Sequence, residues 1–168
     1  MIPKIQNVLY ATDLSKNSAY AFRYAVNTAR KHDAKIHILH VIEPVSPQVG
    51  AFISKETRDQ INKASKENAC RRIEERLKLF AEKELKNDPE TLKRVVGIHA
   101  VQGDPAQEIL NKTDELGCDT IIMGMHGKGV LSHTFLGSVS EEVLRRINKP
   151  VYIIPLPEGE TDITLREI

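Results

Sequence analysis

The sequence contains no tryptophan, and aromatic residues fill only 5% of its 168 positions, so any core it builds must be aliphatic. Cysteine is nearly as scarce. Cys70 and Cys118 stand alone, without a partner at metal-ligand or redox spacing, which argues against a disulfide framework and a cysteine-based metal centre. An excess of one charge is missing too: 24 Lys and Arg against 23 Asp and Glu leave a formal net charge of +1. A dedicated nucleic-acid binder normally carries a basic excess on one face, so no nucleic-acid partner is expected. No apolar run approaches the length that crosses a bilayer, and Met1 to Asn7 lack the apolar stretch of a signal peptide. A cytoplasmic protein without a membrane partner is the expectation.

What the chain does contain is 40% hydrophobic residues, enough to exclude a disordered chain and to build the core of one domain. Apolar runs bounded by turn residues alternate with segments of helical period, the pattern of consecutive βα units around a parallel sheet. Strands are expected over Asn7 to Ala11, Lys35 to Ile42, Arg94 to Gln102, Thr120 to Gly124 and Pro150 to Pro155. Ile36 to Ile42 and Thr120 to Gly124 are nearly continuous in apolar residues, as strands are when helices cover both faces.

The first helix is expected over Ser18 to Lys31, with Phe22, Ala25, Val26 and Ala29 as its buried stripe. The second spans Lys55 to Lys86, with Ile61, Ala64, Ile73, Leu77, Phe80 and Ala81 on its apolar face. On its wet side, Glu67 and Arg71, Glu74 and Lys78, and Glu82 and Lys86 form i,i+4 pairs. The third has the clearest start: Asp104 as N-cap, Pro105 at the first helical position and Gln107 at the third, then Ile109, Leu110 and Thr113 inward and Gly117 as terminator. The fourth begins at Ser138, with Glu141 completing a capping box, buries Val139, Val143, Leu144 and Ile147, and stops before Pro150. Residues 43–54, with Pro44, Pro47 and Gly50, read as a surface excursion.

The segment from Gly124 to Ser140 carries the chemistry. Glycines at 124, 127 and 129 let a backbone turn sharply and approach a ligand, and Gly137-Ser138 opens a helix whose unpaired N–H groups favour an anion. Strand, glycine-rich loop and helix N-terminus together make a phosphate cradle. It is not a P-loop, because Gly127-Lys128-Gly129 has neither the spacing nor the hydroxyl. Nor is it a dinucleotide fingerprint, since Ser132 stands where the third glycine belongs. What remains is Gly124, two residues, Gly127, nine residues, then Gly137-Ser138.

Of the six histidines, His37 and His40 lie three apart on a strand and point to opposite faces, which forbids shared chelation. His126 and His133 sit in the loop beside the cradle, and His99 reads as a strand residue without a role. No metal-ligand set is assigned. No Ser-His-Asp arrangement is readable either, so no residue is assigned as catalytic.

At the cradle the chain resembles the universal stress protein family, whose nucleotide-binding members carry Gly, two residues, Gly, nine residues, Gly-Ser/Thr. The likeness continues in Thr12-Asp13-Leu14-Ser15 after the first strand, Val41 near the end of the second, Gly103-Asp104-Pro105, and Lys149-Pro150-Val151, and covers about Lys4 to Pro155. Ala11 stands where that family often has Pro, and Ser140 where Thr is an alternative.

The resemblance implies an α/β fold: a single Rossmann-like open parallel five-stranded sheet in the order 3-2-1-4-5, with helices on both faces. It implies one such domain over residues 1–156, a C-terminal tail over 157–168, and a crevice where the connections after strands one and four part. There, backbone groups of Val41 would read adenine, and Asp13 would face the ribose or a metal. Gly124, Gly127, Lys128, Gly137, Ser138, Val139 and Ser140 would surround the phosphates, with Ala11, Thr12, Met123 and His126 completing the site. The function implied is that of an ATP-binding stress-response protein, non-catalytic or slowly hydrolysing, with ATP, ADP or AMP as ligand and Mg²⁺ or Mn²⁺ on the phosphates. It would act as a homodimer through the last strand. Two rivals share the fold: an adenine-nucleotide α-hydrolase-type enzyme, and an interaction module without nucleotide.

Overall fold

The computed structural model describes residues 1–44, 54–125, 136–157 and 168. Along them run β1 (Asn7–Ala11), α1 (Lys16–His32), β2 (Lys35–Ile42), α2 (Lys55–Glu84), α3 (Pro89–Leu92), β3 (Val95–Gln102), α4 (Pro105–Glu115), β4 (Thr120–Gly124), α5 (Ser138–Arg146) and β5 (Val151–Ile154). The five strands form one parallel sheet in the order β3-β2-β1-β4-β5, the Rossmann-like arrangement that the family resemblance implies.

The unbroken apolar runs are explained by what each face meets. Successive strand side chains point to opposite faces, so a strand covered on both must be apolar throughout. Val8, Tyr10, Ile36, Ile38 and Ile122 meet Phe22, Ala25 and Ala29 of α1 and Leu77 and Ala81 of α2. Leu9, Ala11, Leu39, Ile121 and Met123 meet Ala106 and Ile109 of α4 and Val143 of α5. The few aromatics concentrate on the first face. The rings of Tyr10 and Phe22 lie 5.2 Å apart, as do those of Phe22 and Phe80, and full burial of Phe22 contributes about 1.5–3 kcal/mol. At the opposite end from the site, the Asp119 carboxylate accepts the backbone N–H groups of Gln6 and Asn7 at 2.7 and 2.8 Å, which ties the start of β4 to the start of β1.

Helix ends follow the local chemistry. Ser15, Ser54 and Asp104 accept from the N–H three residues on in α1, α2 and α4, and Gly117 takes the left-handed φ of +59° after α4. The short helix α3 was not expected. Its start, Asp88-Pro89, repeats the Asp104-Pro105 signal, but four residues are too few to show a helical period.

Four sequence expectations need correction. The capping box at Ser138 does not form, because the N-cap is Gly137 and Ser138 is already helical. Leu144 faces outward at 42% exposure rather than into the core. In α2, Ala64 is exposed and Glu74 turns inward, where its carboxylate accepts the Ala100 N–H at 3.2 Å on the open side of β3. The cause is length: 30 helical residues extend about 45 Å, whereas the eight residues of β3 extend about 26 Å, so the first half of α2 outruns the sheet. Lastly, His99 does have a neighbour, since its ring stacks on that of His37.

The tail residues 158–167, the excursion 45–53 and the loop 126–135 lie outside the described residues. Ile168 is described: its N–H donates to the Leu14 carbonyl at 3.1 Å, and its side chain is buried against the α1 face.

Candidate functional site

β1 and β4 are neighbours in the sheet, but the chain leaves β1 for α1 on one face and returns from β4 through α5 on the other. Their carboxyl ends therefore part, and a crevice opens at the switch point. It holds a cavity of about 480 Å³, within the usual range for small-molecule sites. The ends of β1, β2 and β4 and the first turns of α4 and α5 wall it.

The β1 wall is fixed by short-range hydrogen bonds. Thr12 N–H donates to the Leu39 carbonyl at 2.9 Å, and the Thr12 carbonyl accepts from His40 Nδ1 at 2.7 Å, which sets the proton of that imidazole on Nδ1. Thr12 Oγ1 accepts the Leu14 N–H at 3.0 Å and is hydrogen-bonded to Ser18 Oγ at 2.8 Å. Leu14 is held at a φ of +67°, a left-handed conformation uncommon for a bulky residue. This bend turns Asp13 toward the cavity. Its Oδ1 accepts from the N–H and hydroxyl of Ser15, at 3.0 and 2.5 Å, while its Oδ2 is buried with no hydrogen-bond partner. A buried carboxylate oxygen left bare is costly, and a ligand donor or cation would remove the cost.

The β4 wall depends on a missing side chain. A Cβ on Gly124 would stand 2.8 Å from Asn17 Nδ2, so any side chain at this strand end would displace the Asn17 amide from the first turn of α1. The Gly124 carbonyl accepts the Ser140 hydroxyl at 3.1 Å, and Gly137 N–H donates to the Met125 carbonyl at 2.8 Å. The chain thus re-enters beside the point where it left.

Here α5 begins, and it begins uncapped. Side chains cap the starts of α1, α2, α3 and α4, whereas among the described residues the N-cap of α5, Gly137, has no side-chain cap bond, and Gly137 to Ser140 all line the cavity. The N–H groups of a helix start and the helix dipole favour an anion, at ~0.3–1 kcal/mol for the dipole. Asp13 and Glu43 are the charged residues among the described lining, and both are acidic.

Of the residues singled out in the sequence, Ala11, Thr12, Asp13, Val41, Met123, Gly124, Gly137, Ser138, Val139 and Ser140 come together on this cavity. His126, Gly127 and Lys128 lie outside the described residues, as does His133. Sequence reasoning missed Asn17, Ser18 and His40. Ser18 and His40 line the wall, and Asn17 backs Gly124. The signal that could have found them is position, since each lies within a turn or so of the carboxyl end of β1 or β2.

Fold and crevice together define an open, doubly wound α/β domain of the kind that places ligands at strand ends. The chain belongs to the universal stress protein family, whose model matches residues 4–155. Universal stress protein YxiE of Bacillus subtilis is 32% identical over 152 residues, 88% of this chain and 97% of that protein. Universal stress protein MJ0577 of Methanocaldococcus jannaschii is 30% identical over 156 residues, 89% of this chain and 94% of the relative. A solved structure of MJ0577 matches with a TM-score of 0.61 at 25% identity, covering 94% of this chain and 100% of that one. A universal stress protein crystallised in complex with cAMP shares the fold, with a TM-score of 0.52 at 21% identity over 91% of this chain and 98% of that one.

Proposed function

We propose that the crevice binds ATP, or ADP or AMP, and that the protein is a nucleotide-dependent stress-response regulator that turns the nucleotide over slowly or not at all. The observation that carries this reading is the start of α5 on the cavity, whose N-cap has no side-chain cap bond among the described residues although the four preceding helices are all capped. The pattern Gly124, Gly127, Gly137-Ser138 supports it, as does the bare Asp13 Oδ2, a fit acceptor for a ribose hydroxyl or ligand for a cation. A fold neighbour crystallised with cAMP points to the same ligand class.

In this reading Val41 offers backbone groups to adenine, Thr12 and Asp13 hold the sugar side, and Ser138 to Ser140 hold phosphate through N–H and hydroxyl groups. The phosphates bring most of the ligands of a Mg²⁺ or Mn²⁺ ion, because among the described residues no group of three or more His, Cys, Asp or Glu gathers to hold a metal. The ion neutralises charge that the acidic lining would otherwise repel. Mass spectrometry of the small molecules released from purified protein tests the assignment, with an adenine nucleotide expected and its absence, together with no binding on titration, counting against it.

A homodimer through β5 belongs to the same proposal. Among the described strands β5 is an edge of the sheet, and Tyr152 on it and Leu144 on α5 stand 41% and 42% exposed. Two copies meeting about a two-fold axis would cover them.

A further inference from the structure

On the α4 face of the sheet, away from the crevice, β2 and β3 pair with His37 opposite Gly97 and Leu39 opposite His99. The two histidines are diagonal neighbours, a separation that long side chains can bridge. They do so over the glycine. A Cβ at Gly97 would stand 2.6 Å from His37 Nδ1 and 2.5 Å from His99 Nε2, so the space a side chain would fill is where both ring nitrogens converge. Glycine inside a strand weakens it, and here it opens a gap for two imidazoles.

The two nitrogens are 3.4 Å apart, with the rings stacked at a centroid distance of 5.6 Å. That is long for a hydrogen bond, which is commonest near 2.9–3.0 Å. It matches another spacing. Two imidazole nitrogens on one tetrahedral zinc ion, each about 2.0–2.1 Å from the metal, lie about 3.3–3.4 Å apart.

Both rings are half-buried, so an ion can reach them from solvent. Burial lowers both pKa values, aided at His37 by His99 and Lys35 and at His99 by Lys112, which keeps the nitrogen lone pairs available at neutral pH. Lys112 is itself paired with Glu115 at 2.7 Å, and Glu74 and Glu115 oppose its effect at His99.

We propose that His37 and His99, converging over Gly97, bind one borderline divalent transition-metal ion such as Zn²⁺ through Nδ1 and Nε2, with water in the remaining positions. Imidazole is the ligand that suits such ions. The site is separate from the crevice and does not depend on nucleotide binding there.

Calorimetric titration of the chelator-stripped full chain with Zn²⁺ should show one ion bound. His37→Asn and His99→Asn should each weaken it at least tenfold, and Gly97→Ala should do the same while keeping both imidazoles, because its Cβ drives the nitrogens apart. His32→Asn, exposed at the end of α1, should change nothing. Nitrogen NMR of the unsubstituted protein gives a readout free of folding effects: one equivalent of Zn²⁺ should shift His37 Nδ1 and His99 Nε2. The proposal is overturned by no uptake, by uptake that leaves those two resonances unmoved, or by affinity that survives both histidine substitutions in folded protein.

Discussion

Gly124 and Asn17 form a lock between β4 and α1: the glycine's absent side chain is replaced, 2.8 Å from its Cβ position, by the Asn17 amide. The first turn of α1 can therefore lie against the strand end, which fixes the near wall of the crevice. Gly124→Val should destabilise the fold by ~1–3 kcal/mol through overpacking. Gly124→Ala should cost less, and Asn17→Ala in the same chain should restore part of the loss. Urea unfolding of the two single variants and the double variant measures this coupling, and strict additivity would contradict the lock.

Asp13→Asn isolates the bare oxygen. The amide carbonyl can still accept the Ser15 N–H that Asp13 Oδ1 now holds at 3.0 Å, so folding should be retained. Affinity for ATP with Mg²⁺ should fall at least tenfold, ~1.4 kcal/mol, while affinity for adenosine should fall less if the carboxylate serves the cation. Calorimetry with both ligands distinguishes the cation role from a ribose role, in which the two losses are alike.

Cys118 gives a pH-dependent test of the core. Burial pushes its thiol up to about 11, and the thiolate is the reactive form. At pH 8 in the native protein it should therefore resist thiol reagents that modify the more accessible Cys70, and its rate should climb as pH rises toward 11. Denaturant should make both react. Fast native labelling of Cys118 at pH 8 would show that the β4 end of the core is open.

The dimer proposal makes a hydrodynamic prediction. Sedimentation should give twice the 18.9 kDa chain mass, and Tyr152→Asp, placed on the exposed side of β5, should shift the protein toward monomer without unfolding it. Ile153 is a poorer choice, because it packs against the α4 and α5 core. A monomer at tens of micromolar, independent of concentration, would remove the dimer and leave the crevice intact.

Strand positions were legible because two covered faces demand unbroken apolar runs: β1, β2 and β4 match the expected bounds, β3 starts one residue later, and β5 is shorter by a residue at each end. The start of α4 was legible because Asp104 and Pro105 act locally. The start of α5 at Ser138 was legible too, but its cap was not, since Gly137 and Ser138 both suit an N-cap and only the tertiary bond from Gly137 to Met125 decides between them. The cradle glycines could be seen as a spacing, but the Gly124–Asn17 contact spans more than a hundred residues of sequence. His37 was weighed against His40 along its own strand, whereas its neighbour His99 lies across the sheet.

The helix start without a side-chain cap and the bare carboxylate oxygen of Asp13 are what the proposed nucleotide site rests on. Calorimetric titration of ATP, with and without Mg²⁺, into the nucleotide-free chain tests it most directly, with adenosine as the comparison. The account predicts saturable binding of one ATP per chain, strengthened by Mg²⁺ and at least tenfold tighter than adenosine. Equal affinity for ATP and adenosine, or no binding of either by the folded protein, would contradict it.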